Sequence, residues 1–312
     1  MQLVIVGGVA AGTKAAARAR RVNRDIGITL YQDEPEVSYT GCGQPYYLGG
    51  LIPDREALII RRAGDFAKDR VTVRVRHRVT ELDAATRTLR VHDLAHDTRQ
   101  TVPYDRLILA TGARAVIPAL PGIGLEGVVS LRNLAELDRF RSALDRLRPR
   151  RAVIAGGGAI GLEVAESLHG LGVAITMLDR EPRLLPNLDP ELAQPVQDLL
   201  LSRGVELVLG DGLAAVDGVA GRVAAVITAS GRALPADLLV LALGIRPRTE
   251  LAAQGGIALG QSGAIAVDAR LATSVPEVFA AGDCAESYHR VAQTPVWNPL
   301  GDIANLQGRV AG

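Results

Sequence analysis

"RAVIAGGGAIGLEVAESLHGLGVAITMLD", residues 151–179, decides the fold of this chain. It opens with a short run containing β-branched residues and turns through a cluster of glycines. It then continues as a helix-forming stretch and ends in a second β-branched run at Asp179. This order predicts a βαβ unit, in which a helix connects two parallel strands.

The glycine turn of this unit has the full spacing of a dinucleotide-binding fingerprint. One glycine forms the tight turn, one lets the backbone approach a pyrophosphate, and one allows the helix to pack closely on the strand. The N-terminus of the helix then faces the phosphates with unpaired amides and a partial positive charge. The residues that the turn assigns to the nucleotide are Gly156, Gly157, Gly158, Ala159, Ile160 and Gly161.

Asp179 stands at the end of the second strand, 18 residues after Gly161. A carboxylate there accepts a hydrogen bond from a ribose 2′-hydroxyl and repels a 2′-phosphate, so it favours NADH. Arg180 and Arg183 follow closely and oppose this preference. The choice between NADH and NADPH therefore stays open.

The N-terminus carries a partial copy of the same unit. "QLVIV" (2–6) predicts a strand, an alanine-rich stretch predicts a helix, and "IGITLYQ" (26–32) predicts the next strand. Valine replaces the middle glycine, and glutamine replaces the acid at the strand end, where it hydrogen-bonds a ribose hydroxyl without charge. The nucleotide residues assigned here are Gly7, Gly8, Val9, Ala10, Ala11, Gly12, Gln32 and Asp33.

Composition excludes several other classes of protein. A chain of 312 residues, 48% hydrophobic and 22% charged, is typical of a soluble globular protein with room for two cores. A net charge of +1 argues against a general binder of nucleic acid or anionic membranes. No apolar run approaches the roughly 20 residues of a membrane span, and the N-terminus does not have the pattern of a secretory signal. Two distant cysteines indicate neither a disulfide framework nor a metal site, so we expect a reducing cytoplasm.

Further strands are predicted between and after the two units. Three alternating stretches predict antiparallel strands: "VTVRVRHRVTELD" (71–83), "RTLRVHD" (87–93) and "VELVLGDGLAAVDGVAGRVAAVIT" (205–228). "LLVLALG" (238–244) and "VFAAGD" (278–283) predict buried strands that end in glycine. Domain crossings are expected near Pro118, Pro121 and Gly122, and between Gly244 and Pro247.

Two dinucleotide units in one chain suggest a hydride donor held against a flavin. "LILATGARAVIP" (107–118) supports the flavin with a strand that ends at Ala110, Thr111 and Gly112. Asp283 follows Gly282 at the end of another strand, where a carboxylate is well placed to bind a ribityl hydroxyl.

Together these motifs resemble the FAD-dependent pyridine nucleotide-disulfide oxidoreductases, in order and over essentially the whole chain. "SYTGCGQPYY" (38–47) is similar to the single-cysteine branch, which contains coenzyme A-disulfide reductases, NADH oxidases and NADH peroxidases. "ALGIRP" (242–247) and "NPLGDIANLQGR" (298–309) add to the resemblance. It assigns six more residues to the cofactors: Ser38, Val79, Gly244, Pro299, Leu300 and Ala304.

The resemblance implies an α/β fold of two Rossmann-like domains, three-layered with antiparallel meanders. Residues 1–115 and 246–312 are expected to form the FAD-binding domain, and residues 116–245 the NAD(P)H-binding domain. The family's C-terminal dimerisation domain is expected to be absent. A homodimer is expected for the family but stays open here for that reason.

Cys42 has no second cysteine nearby. The two-cysteine classes carry a second thiol three or five residues after the first, and these positions are Pro45 and Tyr47 here. Taken alone, it is best interpreted as a buried structural residue. Beside a predicted flavin, a reactive thiol is favoured. Pro45 predicts the first turn of a helix, and a helix N-terminus favours the thiolate. The oxidised form is then a sulfenic acid or a mixed disulfide with a small thiol.

The function implied is hydride transfer from NAD(P)H through FAD to Cys42, which reduces a low-molecular-weight disulfide such as coenzyme A disulfide. Glu163 matches the family's glutamate near the nicotinamide. Substrate contacts are expected from Arg20, Arg21, Arg70 and Tyr39, with Tyr46 and Tyr47 on the thiol side. A solvated helix face for the arginines and plain packing for the tyrosines stay open.

Three departures bear on the substrate. Ala10 stands where the oxidases and peroxidases commonly carry a histidine, which favours the reductase. Gly41 and Gln44 stand where the reductases often have asparagine and leucine, which opposes it. An NADH oxidase, an electron-transfer reductase for a protein partner and a non-catalytic flavoprotein remain alternatives.

Overall fold

The computed structural model describes all residues from 1 to 312. Two 3-10 segments, Arg55–Leu58 and Ala63–Asp69, accompany the helices. None of the helices has both the length and the apolar character needed to cross a membrane. The helices are α1 (Ala10–Val22), α2 (Gln44–Leu48), α3 (Leu134–Leu147), α4 (Ala159–Gly170), α5 (Pro190–Ser202), α6 (Glu250–Gln254) and α7 (Gly301–Ala311).

The strands are short and form two main parallel sheets with smaller accompanying sheets. They are β1 (Gln2–Val6), β2 (Gly27–Tyr31), β3 (Val71–Arg74), β4 (His77–Asp83), β5 (Thr88–Asp93), β6 (Thr98–Pro103), β7 (Arg106–Leu109), β8 (Ala113–Ala115), β9 (Val128–Ser130), β10 (Arg151–Ala155), β11 (Ala174–Asp179), β12 (Glu206–Leu209), β13 (Leu213–Val219), β14 (Arg222–Thr228), β15 (Ala233–Pro235), β16 (Leu238–Leu241), β17 (Ile245–Pro247), β18 (Val278–Ala280), β19 (Ser287–His289) and β20 (Thr294–Val296).

The chain divides into two compact units. The first consists of residues 1–39, 59–114 and 246–312, and the second of residues 40–58 and 115–245. Residues 40–58, expected in the first domain, thus belong to the second unit. The reason is a contact distant in sequence, since the Ser167 hydroxyl of α4 donates a 2.8 Å hydrogen bond to the carbonyl of Pro45 in α2.

The first unit is built on a parallel sheet with strand order β18-β7-β1-β2-β3. β1 lies at its centre, and residues 3–6 are buried. Ile5 packs with Ala15 of α1, whereas Val6 packs with Leu89 of β5. Because side chains alternate across a strand, a helix layer covers one face and the antiparallel sheet β4-β5-β6 covers the other.

The second unit repeats this plan with strand order β12-β11-β10-β16-β9, all parallel. α4 contacts β10 and β11. The antiparallel sheet β13-β14-β15 covers the other face, where Val216 and Leu234 share a core with Val153. Two dinucleotide-type α/β units with antiparallel meanders are therefore confirmed.

Two of the stretches predicted to be antiparallel begin with a strand that pairs in parallel. β3 pairs with β2, and β12 pairs with β11, each in parallel at the edge of a main sheet. Edge strands expose one side chain in two to solvent, so they show the same alternation as an antiparallel meander. The remaining parts of these stretches form the antiparallel pairs expected.

Candidate active site

The glycine turn of the first unit lies at the carboxyl edge of its sheet. The N–H of Ala110 donates to the carbonyl of Val6, and the N–H of Ala281 donates to that of Leu109, at 2.7 and 2.9 Å. The ends of β1, β7 and β18 therefore lie side by side. This edge is where open α/β sheets bind their ligands.

Close backbone approach explains the glycines of this turn. Gly7 has a φ of +106°, and a Cβ there would overlap the carbonyl of Ala110. A Cβ at Gly12 would overlap the carbonyl of Gly7. Val9 caps α1 without a side-chain hydrogen bond, and the first turn holds no acid. The first amides of α1 thus keep their donors for an anionic group, which fits the pyrophosphate of FAD.

Gln32 is buried at the end of β2, and its side chain holds the turn. Its Oε1 accepts a 2.8 Å hydrogen bond from the N–H of Gly8. Asp33 beside it lies 3.6 Å from Arg78 and 3.9 Å from Arg248. The ribose contacts expected of these two residues stay predictions.

Gly282 joins the strand edge to α1 and α7. It has a φ of +82°, and a Cβ there would lie 2.9 Å from that of Ala11 and 3.6 Å from that of Ala304. Its N–H donates to Oε1 of buried Gln307 at 2.7 Å, and Nε2 of Gln307 donates to the carbonyl of Glu286. Sequence reasoning missed Gln307, whose only signal is a polar residue on the otherwise apolar inner face of α7.

The other residues assigned to FAD surround this edge or support it. Ser38 adopts a φ of +52° and donates its N–H to the carbonyl of Gly8 at 2.8 Å. The hydroxyl of Thr111 donates to the carbonyl of Arg248. Val79 is half-buried in the core beneath β1 and β2. Pro299 is half-buried before α7, Leu300 caps that helix, and Gly112 and Asp283 are half-buried at the ends of their strands.

The full fingerprint of the second unit has the same geometry. Gly156 has a φ of +113°, and a Cβ there would overlap the carbonyl of Ala242. Gly158 caps α4 with no side-chain hydrogen bond, and a Cβ on it would meet nothing within 4 Å. A Cβ at Gly161 would overlap the carbonyl of Gly156. Ala159 and Ile160 begin the helix with exposed side chains, so this turn also fits a nucleotide pyrophosphate.

Asp179 binds the turn of the second unit from the end of β11. Its Oδ2 accepts from the N–H of Gly157 at 2.5 Å, and its Oδ1 accepts from the N–H of Glu181 at 2.9 Å. Arg180 is exposed, and Gly244 has a φ of +90° after β16. The acid expected to bind the ribose is thus also a structural part of the turn.

Glu163 lies in the first turns of α4 and is half-buried. Burial, followed by the charge of Glu166, raises the pKa of its carboxyl. Its backbone carbonyl accepts from the Ser167 hydroxyl at 2.9 Å, the same hydroxyl that reaches Pro45. The helix that carries Glu163 is therefore joined directly to the helix that follows Cys42.

Cys42 is exposed two residues before α2, and Pro45 lies in the first turn of that helix as predicted. α2 has only five residues. Gln44 is 1% exposed, and neither polar atom of its amide has a partner among protein atoms. The other cysteine, Cys284, is fully buried against the carbonyls of Leu109 and Ala281, and burial raises its pKa.

The arginines predicted to contact substrate differ in their surroundings. Arg20 donates to the carbonyls of Arg24, Asp69 and Arg70, which favours a structural role. Arg21 is exposed and bonds back to its own helix, and Arg70 is exposed with a φ of +51°. The Tyr39 hydroxyl donates to Glu34, whereas Tyr46 is exposed and Tyr47 half-buried. No group of three or more His, Cys, Asp or Glu side chains stands close enough to hold a metal ion.

Named relatives resemble the chain along its whole length. An NADH oxidase of Methanocaldococcus jannaschii is 31% identical over 100% of this chain and 69% of its own. A CoA-dependent NAD(P)H sulfur oxidoreductase of Pyrococcus abyssi is 34% identical over 99% and 68%. The solved structure of an NAD-dependent persulfide reductase from A. fulgidus superposes with a TM-score of 0.95 at 36% identity. The chain spans 58% of that longer protein and all of its own length.

A family model described as pyridine nucleotide-disulphide oxidoreductase matches residues 1–297. The match confirms the resemblance drawn from the glycine turns and the cysteine motif. It also confirms the predicted cofactor chemistry, since the family uses FAD with NADH or NADPH. The chain belongs to the pyridine nucleotide-disulphide oxidoreductase family.

Proposed function

We propose that this chain carries the machinery of a flavoprotein that reduces low-molecular-weight disulfides with NAD(P)H through the single thiol of Cys42. The observation that carries this proposal is the contrast between its two cysteines. Cys42 is exposed, whereas Cys284 is fully buried. Neither cysteine forms a disulfide bond. Because Cys284 is buried, only the thiol of Cys42 is accessible to a substrate disulfide.

The thiol chemistry follows from the absence of a second cysteine in reach. The Cys42 thiolate attacks the substrate disulfide, one thiol leaves, and Cys42 is held in a mixed disulfide with the other. Two electrons and a proton then return Cys42 to the thiolate and release the second thiol. Each turnover breaks one disulfide, forms two thiols and oxidises one NAD(P)H. Bound FAD supplies the two-electron relay between the nicotinamide and the thiol.

Residues of the chain have three tasks in this scheme. The uncapped amides of α1 and α4 bind the pyrophosphates of FAD and NAD(P)H. Glu163, whose pKa burial raises, faces the nicotinamide in the proposed scheme. Ser167 holds α2 on α4 and thereby fixes the segment that follows Cys42.

The printed names of relatives support this choice of reaction. The Pyrococcus abyssi protein is named a CoA-dependent NAD(P)H sulfur oxidoreductase, and a coenzyme A disulfide reductase of Staphylococcus epidermidis is 28% identical. Coenzyme A disulfide, or a persulfide of a small thiol, is the substrate class we propose. A cytoplasmic setting follows, because both thiols are free and the exposed one needs a reducing environment. The homodimer implied by the family stays a prediction that sedimentation would measure.

Replacing each cysteine separately tests the proposal. We expect Cys42→Ser to lower NAD(P)H-dependent disulfide reduction by more than about 1000-fold, because the nucleophile is lost. Cys284→Ser is the matched control and keeps the activity. Mass spectrometry of the denatured wild-type protein would show a coenzyme A or other thiol adduct on Cys42. Undiminished disulfide reduction by Cys42→Ser contradicts the proposal.

NADH oxidation by oxygen is the second candidate, favoured by the Methanocaldococcus jannaschii relative named an NADH oxidase. In that reaction Cys42 cycles through a sulfenic acid and carries no thiol adduct. A mass increase of one oxygen on Cys42, with oxygen uptake matching NADH consumption, would select the oxidase over the disulfide reductase.

A further inference from the structure

We propose that a polar cleft of the first unit, between the strands β2 and β3 and the sheet β4-β5-β6, binds a small phosphate ester that carries free hydroxyl groups. The cleft has a volume of about 520 Å³, within the roughly 300–1,000 Å³ of small-molecule sites. Every side chain that lines it carries a polar group. The inference goes beyond the proposed function and does not depend on it, because it involves neither Cys42 nor the glycine turns.

The cleft lies on the opposite face of the main sheet from the glycine turn of this unit. A Cβ at Gly8 would lie 2.8 Å from Cδ2 of Leu30 and 3.3 Å from Cβ of Gln32, so these two residues face the turn. Side chains alternate across a strand, and Thr29 and Tyr31 therefore point the other way, into the cleft. The cleft is thus separate from the site assigned to FAD.

Strand register gathers donor groups on one wall of the cleft. β2 and β3 pair in parallel, with Thr29 opposite Thr72 and Tyr31 opposite Arg74. The space between two packed sheets is usually filled by apolar side chains from both. This wall instead offers three hydroxyls and a guanidinium to whatever occupies the cleft.

Arg74 supplies the positive charge of this wall. Its guanidinium forms no ion pair and no hydrogen bond within the protein, and neither does the hydroxyl of Thr72. Burial raises the pKa of Tyr31, and the charge of Arg74 acts against this rise, so the guanidinium lies near the phenol. A planar guanidinium beside hydroxyl donors binds phosphate oxygens in bidentate fashion. This wall therefore fits the phosphate of a ligand.

The other wall presents a histidine and an aspartate that the backbone holds in place. Nδ1 of His77 donates to the carbonyl of Val75 at 2.7 Å, so Nε2 is the acceptor of the neutral ring. Oδ2 of Asp93 lies 3.6 Å from this nitrogen, beyond hydrogen-bond distance. Both side chains are only 16% exposed. Nε2 of His77 is therefore left for a hydroxyl donor from the ligand.

Asp93 is ionised and acts only as an acceptor. Its Oδ1 accepts from the N–H of Ala95 and of His96, and its Oδ2 accepts from Nδ1 of His96 at 2.8 Å. The hydrogen bond from the His96 ring, followed by that from Ala95, lowers the pKa of Asp93 to about 2. A carboxylate beside an unprotonated ring nitrogen repels an anion and accepts hydroxyls. This wall therefore fits the hydroxyl end of a ligand.

Tyr31 brings the two walls within reach of one small molecule. It is the register partner of Arg74, and its ring centroid lies 6.1 Å from that of His77. Thr98, opposite Asp93 on β6, adds a further hydroxyl to the acceptor wall. A molecule with a phosphate at one end and hydroxyls at the other matches this order of donors and acceptors.

Calorimetric titration of the FAD-loaded protein with ribose 5-phosphate tests the inference. We expect the wild type to bind this ester more tightly than inorganic phosphate or ribose, because each of these engages only one wall. Arg74→Ala should weaken binding of the ester by roughly 10- to 100-fold, the range of a charged hydrogen bond. Thr72→Val should weaken it by roughly 2- to 10-fold, the range of a neutral one.

The matched control is Arg99→Ala, which removes another exposed arginine of the same unit. Arg99 lies on β6 between Thr98 and Gln100, which both line the cleft, so its side chain alternates to the other face. This variant should bind ribose 5-phosphate as the wild type does.

Three results would overturn the inference. The first is a wild type that does not bind ribose 5-phosphate, which would mean that water alone fills the cleft. The second is undiminished binding by Arg74→Ala, which would place the ester elsewhere, such as at a glycine turn. The third is equal affinity for inorganic phosphate and the ester, which would remove the acceptor wall from recognition. Loss of disulfide reduction, with the ester bound as expected, rejects the proposed reaction and leaves the role of the cleft unchanged.

Discussion

The two glycine turns share a backbone and differ in the side chains that complete it. Gly7 and Gly156 have φ values of +106° and +113°, and each passes against a carbonyl of the neighbouring strand. At the end of the next strand, Gln32 accepts from the N–H of Gly8 and Asp179 accepts from the N–H of Gly157. One acceptor is neutral and the other is charged.

This difference separates two roles that a fingerprint acid usually combines. Holding the turn requires only an oxygen that accepts from the second glycine, and glutamine supplies it as well as aspartate. Charge at this position is then left to act on the nucleotide. The middle position of the turn adds to the contrast. It is Val9 in the first turn, whereas in the second it is Gly158, which has no atom within 4 Å of where a Cβ would lie.

The largest effect is expected from adding a methyl group to the shared backbone. Gly7→Ala and Gly156→Ala should each lower the free energy of unfolding by about 3–5 kcal/mol, because the Cβ overlaps a carbonyl and alanine is strained at positive φ. Gly158→Ala, with a φ of −80° and open space, should cost less than about 1 kcal/mol. Denaturant unfolding measures all three, and a cost at Gly158 equal to that at Gly7 would refute the shared design.

An intermediate effect is expected at the acceptors. Gln32→Leu leaves the buried N–H of Gly8 without a partner and should lower the free energy of unfolding by about 1–3 kcal/mol. Gln32→Glu keeps an acceptor oxygen at this position and should retain most of the stability that Gln32→Leu loses. Asp179→Asn also keeps an acceptor oxygen and should retain most of the stability of the second unit. Equal stability of Gln32→Leu and the wild type would mean that the side chain does not hold the turn.

The smallest effect concerns the residue two positions after the third glycine, which is Lys14 in the first turn and Glu163 in the second. Burial raises the pKa of Glu163, so its protonated form is favoured in the folded state. Its contribution to stability is present below the ordinary value of 4.5 and is lost as pH rises through the higher folded pKa. Glu163→Gln should remove this loss from the profile of stability against pH, whereas Glu191→Gln on the exposed face of α5 should not. Identical profiles for the wild type and Glu163→Gln would contradict the expectation.

The features of the fold that depend on the spacing of nearby residues were predictable from the sequence. The glycine turns, the strands that flank them and the position of Pro45 in a helix follow from residues a few places apart, because each obeys a backbone or periodicity rule. Contacts between distant segments were not predictable in this way. Nothing near Pro45 indicates that Ser167 will bind its carbonyl, and nothing near Gly282 indicates that Gln307 will accept its N–H. The edge strands β3 and β12 were predicted to be antiparallel but pair in parallel. A strand buried on one face has the same alternation of apolar and polar residues in a parallel and in an antiparallel sheet.

The division of the first unit into three segments has a consequence for the order of folding during synthesis. β7 is made early, but its neighbour β18 is translated only after the entire continuous part of the second unit, residues 115–245. The second unit can therefore fold first, while the edge of β7 stays unpaired for the time needed to translate about 170 residues. At the usual rate of roughly 5–20 residues per second, that edge waits on the order of 10–30 s for its partner. The interval before β18 pairs with β7 is thus the stage of folding at which this chain most needs protection from aggregation.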